Sequence, residues 1–415
     1  MLTRLHSKLL KVSGRDAPEF LNGLLSAKMT TSPEAKNKHT VSPKDGIKLQ
    51  SESSLKTVGN YGLIHESSHI EWGDADAIKF KQGIRRDGSF SHLFKSNGRV
   101  LTDLFIYPTP FTNDGDGTPT YLLEPTMPSV IPQLMLMFKF HKFKSDVEIS
   151  PVDASVWHLR DHTQIGQKRF DHISQSYFDN SKSKSVNDAI SLANKFIASG
   201  DLVKPQTELL GFALDSRNDA FGYRLVTKSN EPPLFNDQLK IKPSTMDEYI
   251  LDRFKNGIVE IGDIPKGKSA LPFEMNVDLQ EGICLDKGCY QGQELVLRTW
   301  TRNAITKRIF PIHLSSNLTA ENDEASSWVV KDSKFQQGAR KFAASPFGEK
   351  AIKKAAASET ADKDPNVIGK LLIAKGDIAM ASIKSEFFEL GMDQKEVILS
   401  NGTLNIKGFI DGTVW

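Results

Sequence analysis

Between residues 284 and 298 the chain concentrates groups that can do chemistry. Cys289 sits in Lys287-Gly288-Cys289-Tyr290, which runs directly into Gln291-Gly292-Gln293-Glu294. The thiolate is the nucleophilic, metal-binding form of cysteine, and a neighbouring lysine favours it. Gly288 and Gly292, on either side of the thiol, permit tight turns and close approach of backbone to a ligand. Gln293 and Glu294 add an amide and a carboxylate, and Arg298 adds a second cation. These residues describe a compact polar loop with one reactive thiol. They equally describe a glycine-rich turn leading into a strand, with Cys289 a small buried hydrophobe.

Those groups need elements to hold them. Residues 9–12 read as a short strand. Asp16 then reads as a helix N-cap, with Pro18 in the first turn, Glu19 at the capping-box position, and Phe20, Leu21, Leu24 and Leu25 on one face. Residues 90–108 read as a hairpin with Asn97-Gly98 as a type I′ turn signal. Residues 130–143 are a helix whose Met and aromatic stripe is expected in the core. Thr245 to Glu248 is a second capping box, opening a helix with Tyr249, Ile250, Arg253 and Phe254 and stopping at Gly257. Beyond Arg308 the pattern is β-rich, with turn signals at Asn401-Gly402 and Lys375-Gly376-Asp377, and predicts a small barrel. Three polar stretches, about 30–57, 161–187 and 331–365, read as surface insertions. The expected division is 1–305, two intertwined α+β domains, and 306–415, a β-barrel domain.

Bulk properties exclude several classes. Lys and Arg number 53 against 51 Asp and Glu, a formal charge of +2. That balance lacks the excess of cations that nucleic-acid binding requires. No run approaches the ~20 apolar residues of a membrane span. With two cysteines, Cys284 and Cys289, disulfides are not the basis of stability, and a reducing compartment is expected. The first residues, Met-Leu-Thr-Arg-Leu-His-Ser-Lys, are basic and free of acids until Asp16. They read as a mitochondrial presequence or as an ordinary terminus. His65-Glu66-Ser67-Ser68-His69 has the His-Glu-x-x-His spacing of zinc peptidases, which needs a helix to align both imidazoles. Its flanks read as strand and turn and its serines disfavour helix, so a polar loop is expected. No dinucleotide or Walker loop is apparent.

The eight residues 287–294 match Lys-Gly-Cys-Tyr-x-Gly-Gln-Glu whole, the signature of the YgfZ-like folate-binding proteins. Leu271-Pro272-x-Glu274-x-Asn276, the 96–106 stretch containing Gly98-Arg99 and Asp103, and Asp215-x-Arg217 followed by Gly222-x-Arg224 resemble further elements of that family, in the expected order. The chain thus resembles the YgfZ-like branch of the folate-binding aminomethyltransferases over nearly its whole length. The resemblance implies an α+β, three-domain, aminomethyltransferase-like fold with a C-terminal β-barrel around a central opening where tetrahydrofolate can sit. It implies a role in the mitochondrial matrix, maturing 4Fe–4S proteins with A-type iron–sulfur scaffold partners; the long insertions look like those of fungal members. Cys289 and Asp103 are the implied reactive residues, and Lys287, Gly288, Tyr290, Gly292, Gln293, Glu294, Glu274 and Asn276 the implied pocket. Arg253 and Arg298 are candidates for a carboxylate tail. The related T-protein has two adjacent acids where this chain reads Thr102-Asp103, which removes half of that pair. A folate-dependent C1 transferase working through Asp103 stays open as the alternative. Two thiols fall short of the four ligands a cluster ordinarily takes. Cys289 is therefore expected to give one ligand to a cluster shared with a partner's thiols, with the chain alone a monomer. Cys284 is assigned to the core.

Overall fold

The computed structural model describes residues 1–29, 63–67, 81–113, 115–218, 220–228, 230–268, 270–285, 287–302, 304–333, 364, 366–387 and 394–414. The expected insertion at 30–57 and nearly all of that at 331–365 lie outside the described residues, as do Ser68 and His69. The chain divides into two compact units, Met1–Gly262 with Ser269–Ala304, and Asp263–Lys268 with Ile305–Trp415.

The first unit is built on two five-stranded sheets. One runs Gly211–Asp215, Gly222–Thr227, Ser155–Leu159, Leu2–Leu5, Pro243–Ser244. The other runs Ser89–Phe94, Val100–Pro108, Thr120–Pro125, Leu9–Ser13, Glu148–Val152. Side chains alternate across a strand, and here the alternation sorts them into three layers. Trp157, Leu159, Phe212, Leu214, Tyr223 and Leu225 face one helical layer. Leu10, Val12, Leu104, Ile106, Tyr121 and Leu123 face another. The intervening residues, among them Val156, Ala213, Val226, Phe90, Phe105, Tyr107 and Leu122, form a third core containing strands of both sheets. Leu2–Leu5, the stretch with presequence character, is a strand bonded on both edges, to Ser155–Leu159 and to Pro243–Ser244.

Residues 161–187 are not an irregular insertion. Gln164–Tyr177 is a helix, capped where the Thr163 side chain accepts from Gly166 N–H. It buries Gly166, Phe170 and Ile173, an i, i+4, i+7 stripe. Three buried positions in fourteen give a thin sequence signal, and packing against the aromatic core supplies the rest. The capping box at Thr245 is present in both directions, and its helix Met246–Lys255 ends before Gly257 at φ +67°. Asp16 is at the N-cap of Ala17–Asn22 but makes no side-chain cap bond; its carboxylate accepts instead from Arg15 and from Asp146 N–H. His65–Ser67 belong to a strand, Leu63–Ser67, paired with Lys81–Arg85, so this part of the His-Glu-x-x-His spacing is extended rather than helical.

In the second unit six strands close into a barrel in the order Lys307–Leu314, Ile378–Lys384, Val367–Lys375, Val329–Asp332, Lys395–Ser400, Asn405–Ile410. Phe310, Ile312, Trp328, Val330, Leu371, Ile383 and Leu399 fill its core, with Ala379 and Ala381 among them. The turns fall at Gly376 and Gly402, both at positive φ, as the sequence pattern predicts.

Candidate functional site

The thiol loop rests on the tip of the Ser89–Phe94 and Val100–Pro108 hairpin. That tip is not a two-residue I′ turn. Lys95 N–H bonds Arg99 O at 2.8 Å and Gly98 N–H bonds Lys95 O at 2.8 Å, closing a three-residue loop with Gly98 at φ +78°. A Cβ on Gly98 would lie 2.4 Å from Leu295 Cβ, and one on Gly292 would lie 2.7 Å from Lys95 O. The two glycines therefore let hairpin and loop meet at backbone distance. Gln291 completes the joint, its side chain donating to Phe94 O at 2.8 Å and its N–H to Gly23 O at 3.2 Å. Residues 293–301 are the helix Gln293–Thr301, N-capped by Gly292 at φ +82°. No strand follows the loop.

Lys287 is not aimed at the thiol. Its ammonium donates to three backbone carbonyls, Asn22 O at 2.8 Å, Leu25 O at 2.6 Å and Ala27 O at 2.8 Å. It is buried, with Nζ 4.9 Å from the centroid of the Tyr290 ring. Tyr290 is buried too, beside Phe94, and its hydroxyl has no hydrogen-bond partner among the described residues. Burial, and Cys284 beside it, push that hydroxyl's pKa up. Gly288 is buried and Gln293 reaches back to Lys287 O at 3.3 Å. Against this fixed background Cys289 is exposed, which removes the buried-hydrophobe reading, and Glu294 and Arg298 are exposed with it.

Cys284 is not a core residue. It is half-buried, its N–H bonds Ser26 O at 3.0 Å, and it lines a cavity of about 270 Å³ with Arg85, Phe90, Phe170, Asn180 and Ser216. None of the residues offered for folate lines this cavity. Asp103 is fully buried. One carboxylate oxygen accepts from Thr126 and the other from Ile261 N–H at 2.9 Å. Burial first, then the nearby Glu260 carboxylate, pushes Asp103 up to about 7. Glu274 is half-buried, and Asn276 is buried at φ +58°, a conformation asparagine tolerates better than most residues. Arg253 is buried, donating to Ile258 O at 3.1 Å and lying 3.6 Å from Glu260. Among the described residues no three His, Cys, Asp or Glu side chains are grouped to hold a metal ion.

Asp215-x-Arg217 and Gly222-x-Arg224 meet in the layer between the two sheets. Arg217 grips Asp215 with both Nε and Nη2, at 2.8 and 2.9 Å, and Glu260 at 2.7 Å. Arg224 reaches Asp215 at 3.2 Å, Glu124 at 2.8 Å and the Tyr249 hydroxyl at 2.7 Å. Tyr107 donates to Glu124 at 2.5 Å, and Arg224 lies 4.0 Å over the Phe105 ring. The sequence reading missed Glu124, Tyr249 and Glu260. The signal was there for the acids, since Glu124 and Glu260 each interrupt an apolar run, and a charge at a core position demands a partner.

Two layered sheets, a separate closed barrel and one thiol held outward by a buried lysine and paired glycines define an α+β protein that presents a single sulfur. No family model matches the chain. A solved structure of the glycine cleavage system aminomethyltransferase T from Bartonella henselae is similar at 11% identity, with a TM-score of 0.47, over 100% of this chain and 86% of that one. Mitochondrial iron–sulfur cluster assembly factor IBA57 homologues are much more similar in sequence. That of Candida albicans is 35% identical over 75% of this chain and 70% of its own length, and that of Debaryomyces hansenii 35% identical over the same shares. The Eremothecium gossypii homologue is 28% identical over 92% of this chain and 84% of its own. With that much of both sequences shared, this chain belongs to the IBA57 family of mitochondrial iron–sulfur cluster assembly factors.

Proposed function

We propose that the chain acts in the mitochondrial matrix by offering Cys289 as one ligand to an iron–sulfur cluster held jointly with the thiols of an A-type scaffold partner, so supporting 4Fe–4S protein maturation. The observation that carries this reading is the contrast within one loop: Lys287, Gly288 and Tyr290 are buried while Cys289 is exposed. A ligand shared between two proteins must be open to the second one, yet fixed enough that bonding the metal costs little ordering entropy. With only two cysteines in the chain, the remaining ligands of a four-ligand cluster come from outside. Absorption and circular dichroism spectra of the purified chain mixed with a cluster-loaded A-type scaffold test it. Cys289→Ser is expected to remove the shared-cluster signal. Because the side chain is exposed, stability should change by no more than about 0.5 kcal/mol. An undiminished signal in the variant would refute the proposal.

The second reading, folate-dependent C1 transfer, draws on Asp103, whose pKa near 7 suits general acid–base work. Both its oxygens are already engaged, and none of the residues offered for tetrahydrofolate lines the cavity beside Cys284. Turnover with a methylene donor, lost in Asp103→Asn and kept in Cys289→Ser, would favour the transferase; the reverse dependence of cluster transfer favours the assembly role.

A further inference from the structure

The helix Ile131–Lys142 buries Ile131, Leu134 and Phe138 against the core. Its opposite face is also apolar. Leu136 is 56% exposed, Phe140 75%, and Phe143, immediately after the helix, 86%. The i, i+4 spacing of Leu136 and Phe140 puts them on one ridge, with Phe143 just past its end, and they are three of the seven large apolar side chains exposed among the described residues. The Met and aromatic stripe expected to lie in the core is thus only half core. A helix apolar on both faces ordinarily has both faces covered. Phe143 adds a second anomaly: its backbone sits at φ +43°, ψ −104°, which is costly for a bulky residue. The ring that this backbone carries is 86% exposed.

Charge identifies what covers the ridge. Lys139, His141 and Lys142 occupy the last turn and Lys144 follows, with no acid between Val130 and Ser145; the nearest acids are Asp146, directly after, and Asp16 and Glu19, which share a pocket with His141. The lysines complement the helix C-terminus, but that does not account for the phenylalanines between them. Alternating cations and protruding aromatics are the pattern of a segment lying at a lipid headgroup boundary. Twelve residues are too few to cross a bilayer. A stable protein partner needs about 800 Å² from each side, more than three side chains at one helix end supply; single side chains can still insert into lipid.

We propose that Leu136, Phe140 and Phe143, with Lys139 and Lys144, form a peripheral docking element for an anionic bilayer surface. The test is flotation of the full chain with phosphatidylcholine vesicles, with and without phosphatidylglycerol. The wild type is expected to float with the anionic vesicles and to be released by salt. Phe140→Ser with Phe143→Ser should lower partitioning by about tenfold or more. Charge reversal at Lys139 and Lys144 should abolish the preference for anionic lipid. Leu234→Ser, exposed elsewhere, should change nothing. All these positions are on the surface, and unchanged circular dichroism confirms that the variants fold. A wild type that ignores anionic vesicles overturns the proposal, as does a double serine variant that floats equally well. A ridge needed only for capture of a protein partner, with vesicles ignored, overturns it as well.

Discussion

Lys287 and Asp103 both belong to recognisable motifs, and both are buried where their neighbours define their work. Lys287 is a cross-link: one ammonium satisfies three carbonyls of the 22–27 turn. Lys287→Met keeps most of the side chain's length and removes those donors, leaving buried oxygens unpaired, so it should cost about 3 kcal/mol in urea unfolding. Thiol-reagent kinetics in the same variant should show Cys289 reacting no more slowly, because the lysine holds the loop and not the sulfur. Asp103 bears on pH. Its carboxyl binds a proton more tightly when folded, at about 7 against an ordinary 3.8. The folded form therefore holds the extra proton between those values, and this group's contribution to stability falls as pH rises through the window. Asp103→Asn keeps the shape and loses the titration. Its stability relative to the wild type is expected to improve steadily from about pH 4 to pH 7 and then level off, read from unfolding curves across that range.

The joint between hairpin and loop is a matter of elements. Gly98 and Gly292 each sit at positive φ, and each would thrust a Cβ into the other element. Gly292→Ala adds a contact at 2.7 Å with a backbone carbonyl to the strain of a left-handed alanine, and should cost about 2 kcal/mol or more. The damage should be local, seen as faster amide exchange over residues 287–296. Gly402 in the barrel supplies the contrast. It has φ +90° but nothing within 4 Å of an added Cβ, so Gly402→Ala should cost only the backbone strain, about 1 kcal/mol. A Gly292 variant no worse than the Gly402 variant would mean that the loop does not depend on this contact for its position.

Across the whole first unit, two sheets share a layer that is part hydrocarbon and part charge. Phe90, Phe105, Leu122 and Val226 supply the hydrocarbon. Arg217 and Arg224, paired with Asp215, Glu124 and Glu260, supply the charge. Arg224 joins the sheets directly, since its own strand lies in one and Glu124 in the other. Burial opposes ionisation of Asp215, yet Arg217 and Arg224 outweigh it and hold that carboxyl well below the usual range. Arg224→Met leaves Glu124 without its ion pair and deprives Asp215 of one of two, and should cost about 3–5 kcal/mol by thermal or urea unfolding near neutral pH. The deficit should shrink in acid, where protonation relieves the Asp215 carboxylate that Arg217 and Arg224 hold ionised.

Local rules written in consecutive residues were enough to determine the capping box at Thr245, the hairpin over 90–108, the barrel turns at Gly376 and Gly402, and the eight-residue thiol motif. Caps, turns and strand alternation act within a few residues, so their signals survive in one sequence. The tertiary structure decided what each motif residue touches. It sent Lys287 to the 22–27 carbonyls and placed Cys284 beside a cavity. It folded 164–177 as a helix on three buried contacts and closed Arg224 onto Glu124, 100 positions away. It also turned Phe140 and Phe143 outward from a helix whose composition alone reads as core. Such outcomes depend on partners distant in sequence, and neither residue type nor spacing encodes which of several buried carbonyls, carboxylates or rings will arrive.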